Sequence, residues 1–371
     1  MAAAEIDPES LRARVDALPG VEHLRSAIAG LGAHLVGGAV RDLLLGERRG
    51  DLDVVLEGDA IAVARSLGGE LVAHERFGTA SVQLDGLTID LATARAESYP
   101  TPGALPVVRP GSLVDDLARR DFTVNAMAVP LEDPVHLVDP HGGAADLAAR
   151  VLRVLHPGSF ADDPTRAVRA ARYAARLGFA LEPETDALLR RADLTTVSPQ
   201  RVEAELRRLG AEPQAARALE LAGDWGLVEL DDAMVRVAHD VVALLSAEPW
   251  QGVASQPDVI LALARGDLAS ARELASRSPG SPAEAVESAH GHDGPTLALA
   301  RGVGAEWLDR YVGEWRDVRL EINGSDVLAA GIEEGPAIGR GLRAALRAKL
   351  DGEVSGRDQE LRAALEAAGA A

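Results

Sequence analysis

Residues 35–57 read LVGGAVRDLLLGERRGDLDVVLE, and their order decides the fold. The stretch parses as a short buried strand, the Gly37-Gly38 pair, one short helix, a turn, and a strand that opens on Asp51-Leu52-Asp53. Strand side chains alternate between faces, so Asp51 and Asp53 project the same way. Two carboxylates on one face repel unless a cation lies between them, and oxygen donors of this kind suit Mg²⁺. The Gly-Gly turn lets backbone approach a triphosphate closely and aims a helix N-terminus at it. Each part alone has a plainer reading: a D-x-D is also a solvated strand face, and a Gly pair is also ordinary turn chemistry. Taken together and in this order, they point to phosphoryl-type transfer from a nucleotide.

Working outward, residues 8–30 read as an amphipathic helical lead-in. Residues 35–92 alternate strand and helix in the pieces His34–Val36, Ala39–Leu45, Leu52–Leu56, Ala60–Leu67, Leu71–His74, Ala80–Leu84 and Thr88–Leu91. Strands interleaved with short helices predict an α/β or α+β domain. The segment TARAESYPTPGALPVVRPGS (93–112) is rich in Pro and Gly without a clean period and reads as a long loop. From about residue 145 onward, Ala, Leu, Arg and Glu recur at helical spacing, interrupted at SRSPGSP (276–282) and HGHDGP (290–295).

At 371 residues the chain has room for two or three compact units. It has no apolar run long enough for a membrane span, and its N-terminus lacks the basic start and apolar core of a secretion signal. The absence of cysteine excludes disulfides and thiolate metal sites and suits a reducing compartment. A net charge of −20 argues against a general nucleic-acid binder, yet residues 141–210 hold 11 Arg against 9 acids, a locally basic seam on an acidic body.

Two further motifs carry chemistry. In LARRDFTVNAMAV (117–129), Arg119, Arg120 and Asp121 precede an apolar run whose one polar member is Asn125; either an active-site group or a capping Asp with a satisfied Asn accounts for it. In ADDPTRAVRAARYAARLGF (161–179), Asp163 before Pro164 is a strong helix start. Arg166, Arg169, Arg172 and Arg176 then share one helix face, with Val168, Ala171, Ala175 and Leu177 free to bury on the other. No acid interleaves the arginines, so they repel one another unless an anion or an RNA backbone lies against them; a solvated face is the alternative. Asp90, in LTIDLAT, is a candidate third carboxylate whose meeting with Asp51 and Asp53 the sequence alone leaves open.

The three motifs together resemble the class II CCA-adding tRNA nucleotidyltransferase and bacterial poly(A) polymerase family, over roughly residues 33–180. The likeness returns in EINGSDVLAAGIEEGPAIGRGLRAAL (321–346), which is similar to the tail of CCA-adding enzymes. The resemblance implies an α/β (α+β) nucleotidyltransferase head at 1–140, an all-α neck for base recognition and RNA binding at 141–215, and a helical body and tail at 216–371. It implies Asp51 and Asp53 as ligands of a two-metal Mg²⁺ site, with Asp90 beside them, and Gly37, Gly38 and Arg41 on the triphosphate. Arg120, Asp121 and Asn125 would line the ribose and phosphate side. Asp163 and Arg166 would present donors and acceptors to the base edge, and Arg169 and Arg172 would neutralise phosphate and steady the helix. The implied substrates are CTP and ATP, the implied partner is the tRNA 3′ end, no protein partner or membrane is implied, and the compartment is cytoplasmic. CC-adding, A-adding and poly(A)-adding relatives remain alternatives. The 93–112 segment, with Arg95, Glu97 and Arg109, is where they are expected to differ. From other classes stand a small-molecule nucleotidyltransferase and an inactive RNA-binding relative. Some members append an HD phosphohydrolase domain; the nine histidines here lack ligand spacing, and His239-Asp240 reads as a helix-surface pair.

Overall fold

The computed structural model describes residues 7–47, 51–75, 78–84 and 86–369. The chain divides into two compact units, Met1–Glu205 and Leu206–Ala371. The first takes in the 1–140 segment and most of the 141–215 segment. The 46–50 turn of the opening motif and the N-terminal stretch lie partly outside the described residues, at 48–50 and 1–6.

The lead-in is two helices, α1 (Pro8–Asp16) and α2 (Val21–Ile28), rather than one. Pro19-Gly20 breaks it, with Gly20 at φ +73°, a conformation glycine adopts at no steric cost. Then come β1 (His34–Val36), α3 (Gly38–Leu45), β2 (Asp51–Leu56), α4 (Ala60–Leu67), β3 (Glu70–His74), β4 (Thr79–Leu84) and β5 (Leu87–Thr93). Each matches its sequence-derived piece to within two residues, because period and punctuation agree there. The 93–112 segment is not all loop: β6 (Arg95–Ser98) and β7 (Val107–Pro110) pair antiparallel, Arg95 opposite Pro110 and Ser98 opposite Val107. Its prolines hid that ladder, since Pro110 closes the strand and Pro106 precedes it. Helix α5 (Leu113–Ala118) follows under a Ser112–Asp115 capping box, then β8 (Ala128–Pro130).

The main sheet has the order β3-β4-β5-β2-β1-β8, with β2 and β5 parallel and the other neighbours antiparallel. On one face Leu52, Val54, Val82, Ile89 and Leu91 are buried, and α4 packs against β4 and β5. The face that carries Asp51 and Asp53 continues into Val55, which lies in a core of Val36, Ala94, Leu117 and Ala128. The carboxylates therefore sit at the open end of a face whose far end is sealed.

Past β8 and α6 (Gly143–Ala149) the helical half is interrupted by a two-residue parallel pair, β9 (Val151–Leu152) and β10 (Ala180–Leu181), which periodicity did not reveal. Between them lie α7 (Ser159–Asp162) and α8 (Thr165–Leu177), the arginine-bearing helix. The second unit is helical from Ala215–Asp224 to Arg357–Gly369, broken at both predicted places. Its last two helices, Pro336–Leu350 and Arg357–Gly369, approach so closely that a Cβ on Gly341 would stand 2.5 Å from the Ala364 carbonyl. Lys349 Nζ is 2.6 Å from the fully buried Glu360, which also accepts from the Glu321 N–H. His239 lies on a helix surface, 3.4 Å from Glu220. Among the described residues no helix is long and apolar enough to cross a membrane.

Candidate functional site

The site grows from the register of two strands. Asp53 on β2 stands opposite Asp90 on β5, and Asp51 is two residues before Asp53 on the same face. The juxtaposition that the sequence left open is thus realised. Burial and the Asp90 carboxylate, with a smaller contribution from Asp51, push the Asp53 carboxyl up to about 6, although Arg120 and Arg41 pull it down. An acid raised by its own kind is the electrostatic mark of a place that a cation would relieve.

Gly37 sits at φ +66°, ψ −129°, and a Cβ there would come within 2.5 Å of Arg120 Nη1. No side chain caps α3, so its first N–H groups have no side-chain acceptor competing for them. Gly38 brings this turn to the carboxylates: its missing Cβ would lie 3.8 Å from Asp53 Oδ2.

Between the glycine turn and α8 opens a polar cavity of about 410 Å³. Of the sequence-derived site residues, Gly37, Gly38, Asp53, Arg120, Asp121, Asn125, Asp163, Arg166 and Arg169 line it. Asp51 and Asp90 are exposed beside it on the sheet face. Arg41 and Arg172 are not brought to it. Arg41 is 2% exposed, pairs with Asp42 at 2.7 Å, donates to Asn125 Oδ1 at 2.6 Å and lies over the Tyr173 ring. Arg172 pairs with Glu205 at 3.1 Å and also lies over Tyr173.

Asp121 and Asn125 form one buried relay. Asn125 Nδ2 and the Phe122 N–H both donate to Asp121 Oδ1, while Asp121 Oδ2 lies 2.7 Å from Arg169. Burial opposes charge on both partners. Arg169 and the Asn125 hydrogen bond nonetheless hold the Asp121 carboxyl down, and Asp121 together with Tyr173 raises Arg169. The expected mutual repulsion along the arginine face is therefore answered by acids from other elements, Asp121 and Glu205, which are distant in sequence.

At the far end stand Asp163 and Arg166. Asp163 Oδ1 accepts from the Thr165 N–H and Oγ1 and from Arg201 Nη2; Oδ2 accepts from no group among the described residues. The helix proper begins at Thr165, with Pro164 at its cap, so Asp163 both turns the chain and keeps one oxygen free. Arg166 is 4% exposed and fixed by Ser159 Oγ at 2.7 Å and the Arg119 carbonyl at 2.7 Å. Sequence reasoning missed the cavity-wall residues Tyr99, Arg119 and Tyr173, the buried Ser159 that holds Arg166, and the buried Asp116 that grips both Arg119 and Arg120. Glu97 accepts from Arg95, Arg119 and the Tyr99 hydroxyl, and burial beside it pushes that phenol up to about 12. The charged alternation R-A-E in 95–97 was the available signal.

Residues 33–153 match the Poly A polymerase head domain family. The chain is 36% identical to a CC-adding tRNA nucleotidyltransferase of Deinococcus radiodurans, over 90% of this chain and 88% of that protein. It is 50% identical to an A-adding tRNA nucleotidyltransferase of Aquifex aeolicus over 44% of this chain, and spans 20% of that relative's length. A solved Thermotoga maritima CCA-adding enzyme complexed with tRNA-CCA superposes with a TM-score of 0.72 at 27% identity, covering 98% of this chain and 96% of that one.

Proposed function

We propose, from the premise that this chain belongs to the class II CCA-adding tRNA nucleotidyltransferase family, that it builds the 3′-terminal CCA of tRNA from CTP and ATP, releasing pyrophosphate without a nucleic-acid template. The observation that carries this reading is that one cavity is lined at one end by the Gly37–Gly38 turn and Asp53, which stands opposite Asp90 on the sheet, and at the other by the Asp163–Arg166 pair.

The carboxylates fit Mg²⁺. Among the described residues no three His, Asp or Glu groups form a closed metal cage. Mg²⁺, however, is usually held by one or two carboxylates together with substrate phosphates, and an open face with a strained Asp53 suits that. Bound there, Mg²⁺ would neutralise charge on the triphosphate and on the departing pyrophosphate.

The protein's own groups do the rest. The free N–H groups of α3 and Arg120 receive the triphosphate, Arg120 being held from behind by Asp116 at 2.9 Å. Arg41 acts through Asn125, aligning the relay that seats the ribose side. Asp163 Oδ2 is an acceptor and the Arg166 guanidinium a donor, so the pair reads a base edge offering the complementary pattern. Attack of the RNA 3′-hydroxyl on the α-phosphorus then needs positioning and electrostatics more than covalent help. The helical second unit, with its tail, is the proposed tRNA-binding part. Reducing, cytoplasmic surroundings suit a cysteine-free chain acting on tRNA.

A second reading, addition of C-C alone, is favoured by the CC-adding function of the relative matched along most of its length. The test of the site is Asp53→Ala. It should abolish nucleotide incorporation while tRNA affinity and its salt dependence stay near wild type. Retained incorporation would remove the metal role.

A further inference from the structure

We propose that the open half of the sheet face beyond Asp90 seats the nucleotides just before the tRNA 3′ end, and that Ser81, Gln83 and Thr88 hold them by their 2′-hydroxyls. The inference rests on the reading of the Gly37–Gly38 turn and Arg120 as the triphosphate seat.

Strand order fixes the direction of approach. β1, which leads into the α3 turn, lies on one side of β2, and β5, β4 and β3 lie on the other. With the triphosphate over the α3 turn, pyrophosphate departs on the β1 side. The attacking and leaving oxygens stand roughly in line across the phosphorus. The 3′-hydroxyl therefore arrives from the β5 side, where Asp90 stands opposite Asp53. The nucleotides behind it continue the same way, over β4 towards the edge strand β3.

Register lays out what they meet. Asp53, Asp90, Ser81 and Val72 form one row across β2, β5, β4 and β3, and Asp51, Thr88, Gln83 and Glu70 form the row beside it. Residues directly opposite share a face, so both rows lie on the carboxylate side of the sheet, while α4 packs against the other. Asp90 and Gln83 are exposed, and Ser81 and Thr88 half-buried. Val72 is 58% exposed, an apolar side chain on an edge strand, where a charge is the usual guard. The next row is closed on the β2 side, since Val55 is buried and Ala92 packs against its core. From Asp53 to Val72 is three strand spacings, about 14 Å.

The chemistry of the two open rows selects the contact. Glu70–His74, Thr79–Leu84 and Leu87–Thr93 contain no Lys or Arg, so these strands offer a phosphate no cation. They offer hydroxyl and amide groups instead. Gln83 Nε2 donates to Thr88 Oγ1 at 2.9 Å, which orients the Gln83 carbonyl as an acceptor and leaves Thr88 its proton to give. A ribose 2′-hydroxyl both donates and accepts, and so complements each of these groups and Ser81. Deoxyribose lacks that hydroxyl, so the rows distinguish an RNA end from a DNA end. Val72 supplies an apolar contact at the far edge.

The test uses the full chain and tRNA transcripts ending after C-C, in which the two nucleotides before the terminal one carry either ribose or deoxyribose. The terminal ribose stays intact, so the attacking hydroxyl is the same. Steady-state kcat and KM for the tRNA are measured at several salt concentrations for wild type, the Ser81→Ala/Gln83→Ala double variant and Val72→Glu. On wild type, deoxyribose raises KM about tenfold and leaves kcat unchanged, as expected when one or two neutral hydrogen bonds are lost. The double variant shows a rise of that size on the all-ribose tRNA and no further rise on the deoxy one, because both changes remove the same contacts. Its salt dependence matches wild type, since no phosphate contact is lost. Val72→Glu raises KM most at low salt, by repelling the RNA backbone. Equal KM for the two tRNAs on wild type, additive losses in the double variant, or a weakened salt dependence would overturn the proposal. If the double variant melts below wild type, the comparison of the two tRNAs on wild type decides alone. A wild-type chain that adds no nucleotide would instead overturn the proposed function, and the affinities of the two tRNAs, read by filter binding, would still decide the 2′-hydroxyl contacts.

Discussion

Asp53→Asn is expected to stabilise the metal-free protein while removing its activity. The Asp53 carboxyl is lifted from 3.8 to about 6 by burial and by Asp90. A group whose folded pKa is raised contributes stability that is present below the unfolded pKa and lost as pH climbs through the folded one. Between about pH 4 and pH 6 the apo protein therefore forfeits about 2 units at 1.36 kcal/mol each, or about 3 kcal/mol. Asparagine carries no charge and can donate to Asp51 or Asp90. The variant should match wild type near pH 3.5 and exceed it by up to about 3 kcal/mol at pH 8. Urea unfolding in EDTA, followed by circular dichroism at both pH values, measures the difference. Hydrogen exchange across β2 and β5 assigns it to this sheet, as the four tryptophans all lie in the second unit. Mg²⁺ with ATP should close the gap by stabilising only the wild type. An Asp53→Asn gain that is equal at both pH values, or a loss at pH 8, would refute the account of Asp53 as an uncompensated charge.

Gly37→Ala forces a side chain into a φ +66° conformation and onto Arg120, so it should cost about 1–3 kcal/mol of stability and raise KM for both nucleotides, seen by thermal melting and steady-state kinetics. Asp121→Ala leaves Arg169 unpaired; with that arginine a third exposed, the loss should be about 2 kcal/mol, below the range for fully buried pairs, and urea unfolding reads it. Arg166→Ala should disturb the choice among CTP, ATP, UTP and GTP more than RNA affinity, and should also lower the melting temperature, because Ser159 and the Arg119 carbonyl lose a buried donor.

Legibility in the sequence followed locality. The βαβ core of 34–93 was readable because glycines, caps and apolar period coincide within a few residues, and the Asp51–Asp53 pair follows from strand parity alone. Asp90 could be named but not placed, since register between β2 and β5 is a long-range fact. The paired strands in 93–112 were masked by Pro and Gly that in fact delimit them. Arg41 illustrates a different limit: its motif position suggested phosphate, while three-dimensional packing sets it behind Asn125 and against Tyr173. The acids that answer the arginine helix, Asp121 and Glu205, lie 48 residues before Arg169 and 33 after Arg172, beyond any helical spacing rule. Ser159 and Arg201 gave no signal by composition; only the folded chain shows what they hold.

The most direct test supplies the purified chain with Mg²⁺ and three tRNA transcripts, ending before CCA, after C-C, and after C-C-A. CTP and ATP are given singly and together, and products are resolved to one nucleotide. Completion of CCA on the first transcript, A on the second and nothing on the third is the predicted result. A stop at C-C, addition of A alone, continued A addition, or no incorporation on any transcript would contradict it.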